Sequence, residues 1–139
     1  MDRIDPHPPE VFEKLRDRGP QTRIAVVGAS NDPEKYGNVI VRHLAAKGYT
    51  VLPVNLRERE IAGLEAFPSL AAVPGPVHIV NVVTPPAATK SVLQEAARLG
   101  LPAVWLQDGS YDAAVLAATA GAPFRTVYQA CIMVAANRS

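Results

Sequence analysis

Two short stretches carry residue types that could hold a phosphate-bearing ligand. Gly28-Ala29-Ser30 follows the apolar run from Arg23 to Val27. Residues without bulk let backbone N–H groups approach a phosphate, and a helix starting just beyond aims its positive dipole end at the same place. Ser30 adds a hydroxyl that can donate to an anion or cap that helix. The second stretch is Asn55-Leu56-Arg57, after Tyr49 to Val54. A carboxylate at such a strand end accepts from free ribose hydroxyls and repels a phosphorylated ribose, whereas arginine favours one. Arg57 also reads as part of a solvated mixed-charge loop with Glu58, Arg59 and Glu60.

Other reactive side chains do not assemble into a catalytic set. His7 lies in the N-terminal lead-in, His43 inside a helical pattern, and His78 at the start of a strand, opposite the end where ligands gather. Asp108 follows a strand and serves equally well as a helix cap. Cys131 is the single cysteine, which excludes an internal disulfide and a multi-cysteine zinc site. It reads as a small apolar core residue beside Ile132 and Met133, or as a thiol able to form a mixed disulfide. No metal site is expected.

Alternating apolar runs and helical patterns must position these residues. An unbroken apolar run predicts a central parallel strand over Arg23 to Val27. The next strands are read over Tyr49 to Val54, Val77 to Val83 (nearly all apolar) and Ala103 to Leu106, and a fifth, short strand over Arg125 to Tyr128. Helical spacing predicts a short helix over Glu10 to Arg18, then helices over Asn38 to Lys47, from Thr84 (N-cap) and Pro85 (first position) to Leu99, and over Asp112 to Ala120. Ser69 to Ala72 reads as one capped helical turn, and Cys131 to Ser139 as a frayed helix. Ile61 to Phe67 matches no single pattern. The expected fold is α/β: a Rossmann-like, open, mainly parallel five-stranded sheet with helices on both faces. Its ligand would sit beyond the carboxyl ends of the strands.

The chain has 139 residues, so one domain spanning 1–139 is expected, with 1–22 as lead-in and short helix. Fourteen basic against thirteen acidic residues leave a formal charge of +1, which argues against a nucleic-acid footprint. No apolar run approaches the roughly 20 residues of a membrane span. No secretory pattern opens the chain, so a cytoplasmic setting is expected.

The first turn lacks glycine at Ser30 and Pro33, and so departs from the dinucleotide fingerprint. Two common ligands carry a phosphate on the adenosine ribose, NADP and coenzyme A (CoA). Val27-Gly28-Ala29-Ser30, Gly48-Tyr49, Val51-Leu52-Pro53-Val54-Asn55, Ile61-Ala62-Gly63 and Val104-Trp105-Leu106-Gln107-Asp108-Gly109 together resemble the stand-alone CoA-binding protein family. That family is similar to the CoA-binding domains of succinyl-CoA synthetase α-subunits and ADP-forming acyl-CoA synthetases. The resemblance covers roughly Arg23 to Cys131 and implies CoA as the small-molecule ligand. It implies that Gly28, Ala29 and Ser30 hold the pyrophosphate and that Lys35 and Tyr36 close over the phosphates. Asn55 and Arg57 would meet the ribose and its 3′-phosphate, and Thr84 and Pro85 the adenine and pantetheine path. Gln107 and Gly109 would lie further along the sheet edge.

Leu56 stands where the family usually has proline, and Gln129-Ala130 where it often has a charged pair before the late cysteine. The larger synthetases use a phosphohistidine from a further domain, so their chemistry is not carried over. The reading is a CoA- or acyl-CoA-binding module without an evident catalytic set. An NADP-dependent oxidoreductase is one alternative. A regulatory or redox-linked ligand-sensing subunit with a protein partner is another.

Overall fold

Five of the apolar runs pair as one parallel sheet. The structure, a computed structural model, describes residues 6–137. Its main strands are β1 (Arg23–Val27), β2 (Thr50–Val54), β5 (Ile79–Val82), β6 (Ala103–Leu106) and β7 (Arg125–Val127), in the order β2-β1-β5-β6-β7. Every pairing in this sheet is parallel. The expected mainly parallel five-stranded sheet is therefore present.

The winding reverses between β1 and β5. From β1 the chain steps one way to β2, and it later returns on the other side of β1 to build β5, β6 and β7. Right-handed crossovers in opposite directions place their helices on opposite faces. Helices α1 (Pro9–Arg16), α2 (Tyr36–Ala46) and α5 (Ile132–Asn137) share one face. There Ile40, Val41 and Leu44 of α2, Val11 and Leu15 of α1, and Ile132 and Ala136 of α5 pack with Ile24, Val26 and Trp105 of the sheet. Helices α3 (Pro86–Arg98) and α4 (Ala113–Thr119) cover the other face. Val92, Leu93 and Ala96 of α3 and Val115 of α4 meet Ala25, Val27, Val80 and Val82. Burial on both faces explains why the central strands are almost wholly apolar.

Several local expectations shift. The segment from 60 to 65 is a small antiparallel hairpin, β3 (Glu60–Ile61) and β4 (Leu64–Glu65). Ala62 and Gly63 at its tip have φ of 53° and 79°, the paired positive values of a type I′ turn. Phe67, just beyond, bridges in parallel to Val54. Helix α3 begins one residue later than expected, with Pro85 as cap and Pro86 as its first residue. Of the two N–H groups a cap at Thr84 would serve, Pro86 lacks one, and the Thr84 hydroxyl instead pairs with that of Thr89 at 2.8 Å. Ser69 does cap its turn, accepting from Ala72 N at 3.3 Å. The helix expected from Glu10 to Arg18 runs from Pro9 to Arg16, and the one from Asn38 to Lys47 starts at Tyr36. In the last helix, positions 138 and 139 lie outside the described residues.

His78 precedes β5 at the amino end of the sheet, opposite the carboxyl edge. Its Nδ1 accepts from the Arg23 backbone N–H at 3.1 Å. Burial, aided by the nearby Lys14 and Arg23 charges, holds the imidazole below its ordinary value, against a weaker opposing pull from Asp17. The fold therefore favours the neutral ring. This contribution is complete above the unfolded value of about 6.5 and declines as pH falls through the lower folded value. Urea midpoints are expected to drop more between pH 7 and pH 5 in the wild type than in His78→Leu. Parallel curves for the two proteins would refute this.

Candidate functional site

At the carboxyl edge, between the ends of β1, β2 and β5, lies a groove of about 480 Å³. Gly28, Asn55, Arg57 and Thr84 line it together with Leu56, Ser69, Ser91 and Glu95. Four of the residues singled out from sequence thus meet at the winding reversal, where a ligand of an open α/β sheet is expected.

The turn after β1 is built by close contact. Gly28 has φ of 96°, and a Cβ on it would lie 2.8 Å from Val83 Cγ2 and 3.1 Å from Thr84 N. Gly37, in the first turn of α2, packs against the same turn. A Cβ on Gly37 would overlap the Gly28 carbonyl oxygen and lie 3.1 Å from Ala29 Cα. Gly37 thus takes the part a fingerprint glycine plays in helix–strand packing, displaced along the chain by a longer loop. That displacement hides it from a search at the fingerprint spacing.

Side-chain amides hold the loop on three sides. Asn55 Nδ2 donates to Ala29 O at 2.9 Å, while its Oδ1 accepts from Arg57 N at 2.8 Å and Glu58 N at 3.0 Å. Asn38 Nδ2 donates to Ser30 O at 2.9 Å. Asn31 Nδ2 donates to Glu60 O at 2.8 Å, and its Oδ1 accepts from Ala62 N at 3.2 Å, tying the loop to the β3–β4 hairpin. Ser30 Oγ accepts from Asp32 N at 3.0 Å, so it closes a turn within the loop rather than capping α2. The cap position of α2 belongs to Lys35, without a side-chain bond. The backbone N–H groups of Ala29, Ser30 and Asn31 meet no acceptor among the described residues. Consecutive free amides of this kind suit an anion.

The groove's charge is uneven. Arg57 is exposed, and its guanidinium makes no hydrogen bond or ion pair among the described residues. Glu95, the acid in the wall, is committed to Leu70 N at 3.2 Å and Ala71 N at 3.4 Å, and sits 3.7 Å from Arg98 Nη2. The open cation therefore faces a groove whose carboxylate is already engaged.

The remaining expected residues fall around or away from this groove. Lys35 and Tyr36 are exposed at the start of α2, Tyr36 by 54 %. Pro85 is exposed beside Thr84, and Gly109 is exposed beyond β6 with φ of 91°. Gln107 is different: it is only 2 % exposed, with its side chain in the interior. Strand alternation puts it on the same face as Ala103 and Trp105. Its Oε1 accepts from Asn81 Nδ2 at 3.2 Å and Ile132 N at 2.9 Å, and its Nε2 lies 3.5 Å from Cys131 Sγ. Asn81 Oδ1 in this buried cluster has no partner among the described residues. Asp108 does not cap α4. Asp112 does, accepting from Val115 N at 2.9 Å.

Cys131 is half-buried and lines a second cavity, of about 590 Å³, between α1 and α5. Among the described residues no cluster of three or more His, Cys, Asp or Glu could hold a metal ion. No helix among them is long and apolar enough to cross a membrane.

Sequence reasoning passed over Asn38 and Arg42. The available signal was a polar residue on the apolar stripe of α2, with Arg42 one turn further along the same face.

Comparison with known proteins agrees with this architecture. Residues 22–137 match the family described as CoA binding domain. A stretch of 82 residues, 58 % of this chain, is 40 % identical to the α-subunit of ADP-forming acetate–CoA ligase II from Pyrococcus furiosus, of which it covers 18 %. The chain thus spans a minor part of that relative. A Thermus thermophilus protein superposes with a TM-score of 0.81 at 36 % identity, covering 93 % of this chain and 96 % of that one. A hypothetical protein from Pyrococcus horikoshii superposes with a TM-score of 0.83 at 27 % identity, covering 99 % of this chain and 98 % of that one.

Proposed function

The chain belongs to the CoA-binding domain family, and from that premise we propose that it binds coenzyme A, or an acyl thioester of it, along the carboxyl edge of its sheet. The observation that carries this reading is the open Arg57 guanidinium in a groove that also takes in Gly28, the residue directly before the free amides of Ala29, Ser30 and Asn31. Two separate anion-seeking features fit a ligand with two separate anionic groups. In CoA these are the pyrophosphate and the ribose 3′-phosphate.

In this reading the Gly28-Ala29-Ser30 turn takes the pyrophosphate and Arg57 the 3′-phosphate. Asn55 acts through the backbone it holds, since both ends of its amide are engaged. Lys35 and Tyr36 reach over the phosphates from the start of α2. Thr84 and Pro85 flank the adenine and the beginning of the pantetheine path. Further along the edge, contact falls to Gly109, while Gln107 supports the β6 end from beneath.

Titration calorimetry of the full chain with CoA, dephospho-CoA, NADP and NAD tests the reading. CoA is expected to bind most tightly and dephospho-CoA at least tenfold more weakly, about the effect of losing one charge-assisted contact. Binding of NADP alone would overturn it. Equal affinity for CoA and dephospho-CoA would remove Arg57 from its assigned role.

A further inference from the structure

Ala29 O is held by Asn55 from the β2 side, and Ser30 O by Asn38 from α2. Asn38 is 4 % exposed and sits among Ile40, Val41 and Leu44 on the buried face of its helix. A polar amide there is costly unless hydrogen-bonded. Both ends of it are bonded. Asn38 Oδ1 accepts from Arg42 Nε at 2.6 Å, which leaves only Nδ2 to face Ser30 O. Rotating the amide by half a turn would set N–H against N–H and oxygen against oxygen. Arg42 therefore fixes which end of Asn38 meets the loop.

In a trans peptide the C=O and the following N–H point in opposite directions. The chain contains no cis peptide bond among the described residues. Drawing Ala29 O toward Asn55 therefore turns Ser30 N–H the other way, and drawing Ser30 O toward Asn38 does the same for Asn31 N–H. Both are among the amides without an acceptor. A flipped peptide would put a carbonyl oxygen where an anion needs a donor.

We propose that Asn38, oriented by Arg42, is a positioning residue that keeps the Asn31 amide turned toward a bound pyrophosphate, beside the Ser30 amide that Asn55 sets. This rests on the phosphate-binding reading of the turn, though not on the rest of the ligand being CoA. Asn38→Asp is the direct test. It conserves shape and the Arg42 contact, but faces Ser30 O with a carboxylate oxygen. Affinity for CoA, dephospho-CoA and inorganic pyrophosphate is expected to fall by about tenfold each, the worth of one such hydrogen bond. Adenosine 3′-phosphate, which lacks the pyrophosphate, is expected to bind as it does to the wild type. Arg42→Ala changes an exposed side chain and is expected to give the same pattern at about threefold. Unchanged pyrophosphate affinity in both variants, or an equal fall for adenosine 3′-phosphate, would overturn the proposal. If the wild type binds pyrophosphate but not CoA, the CoA reading fails, while a loss of pyrophosphate in the variants still upholds the role of Asn38.

Discussion

Arg57→Ala is expected to weaken CoA binding by roughly ten- to a hundredfold while leaving dephospho-CoA binding unchanged, the worth of hydrogen bonds to a charged group. The guanidinium lines the groove and has no other partner among the described residues, so removing it breaks no internal contact. The backbone at this position is held independently, since Arg57 N donates to Asn55 Oδ1 at 2.8 Å. The turn at Gly28 should therefore be undisturbed, and the loss should track the 3′-phosphate alone. Salt dependence supplies a second reading, because exposed charges are screened as ionic strength rises. The gap between CoA and dephospho-CoA is expected to shrink with added salt in the wild type and to be absent in the variant. Calorimetry showing equal losses for both ligands would reassign Arg57 to a different part of the site.

Gly37→Ala is expected to destabilise the fold by about 3 kcal/mol, the upper part of the range for overpacking a closely packed site. The new methyl group would overlap the Gly28 carbonyl oxygen, and that oxygen belongs to backbone that cannot rotate aside. Relief requires moving the start of α2 away from the β1 turn. The same motion would carry Asn38 away from Ser30 O, so CoA affinity should fall together with the urea midpoint. Gly48→Ala is a useful contrast, because a Cβ there meets nothing within 4 Å, although its φ of 99° still carries backbone strain. A Gly37→Ala protein with wild-type midpoint and affinity would show that α2 need not touch the turn.

The sheet was legible because each central strand is buried on both faces and so appears as an apolar or nearly apolar run, unbroken in Ile24 to Val27 and interrupted only by Asn81 in Ile79 to Val82. The groove was legible through Gly28, Asn55, Arg57 and Thr84, each standing within three residues of the end of such a strand. The hairpin was not, because strands of two residues are too short to show alternation. Gln107 has the position of a site residue, but its alternation with Ala103 and Trp105 turns its side chain inward. Asn38 stood out as a polar residue on an apolar stripe, but its role was hidden for another reason. Its partner is a backbone oxygen eight positions earlier, in a different element, and backbone oxygens have no residue type to read.

Asn31 has a role beyond its own loop. The β3–β4 hairpin is a two-stranded sheet of its own, tied to β2 through the Phe67–Val54 bridge beyond it and to the core through Ile61, and so short a hairpin is marginal in water by itself. Joined through Asn31 to Glu60 and Ala62, hairpin and loop restrain one another before any ligand arrives. Their conformational entropy is surrendered once, when the chain folds. A ligand entering the groove then meets a surface already ordered, and more of its intrinsic contact energy can appear as affinity.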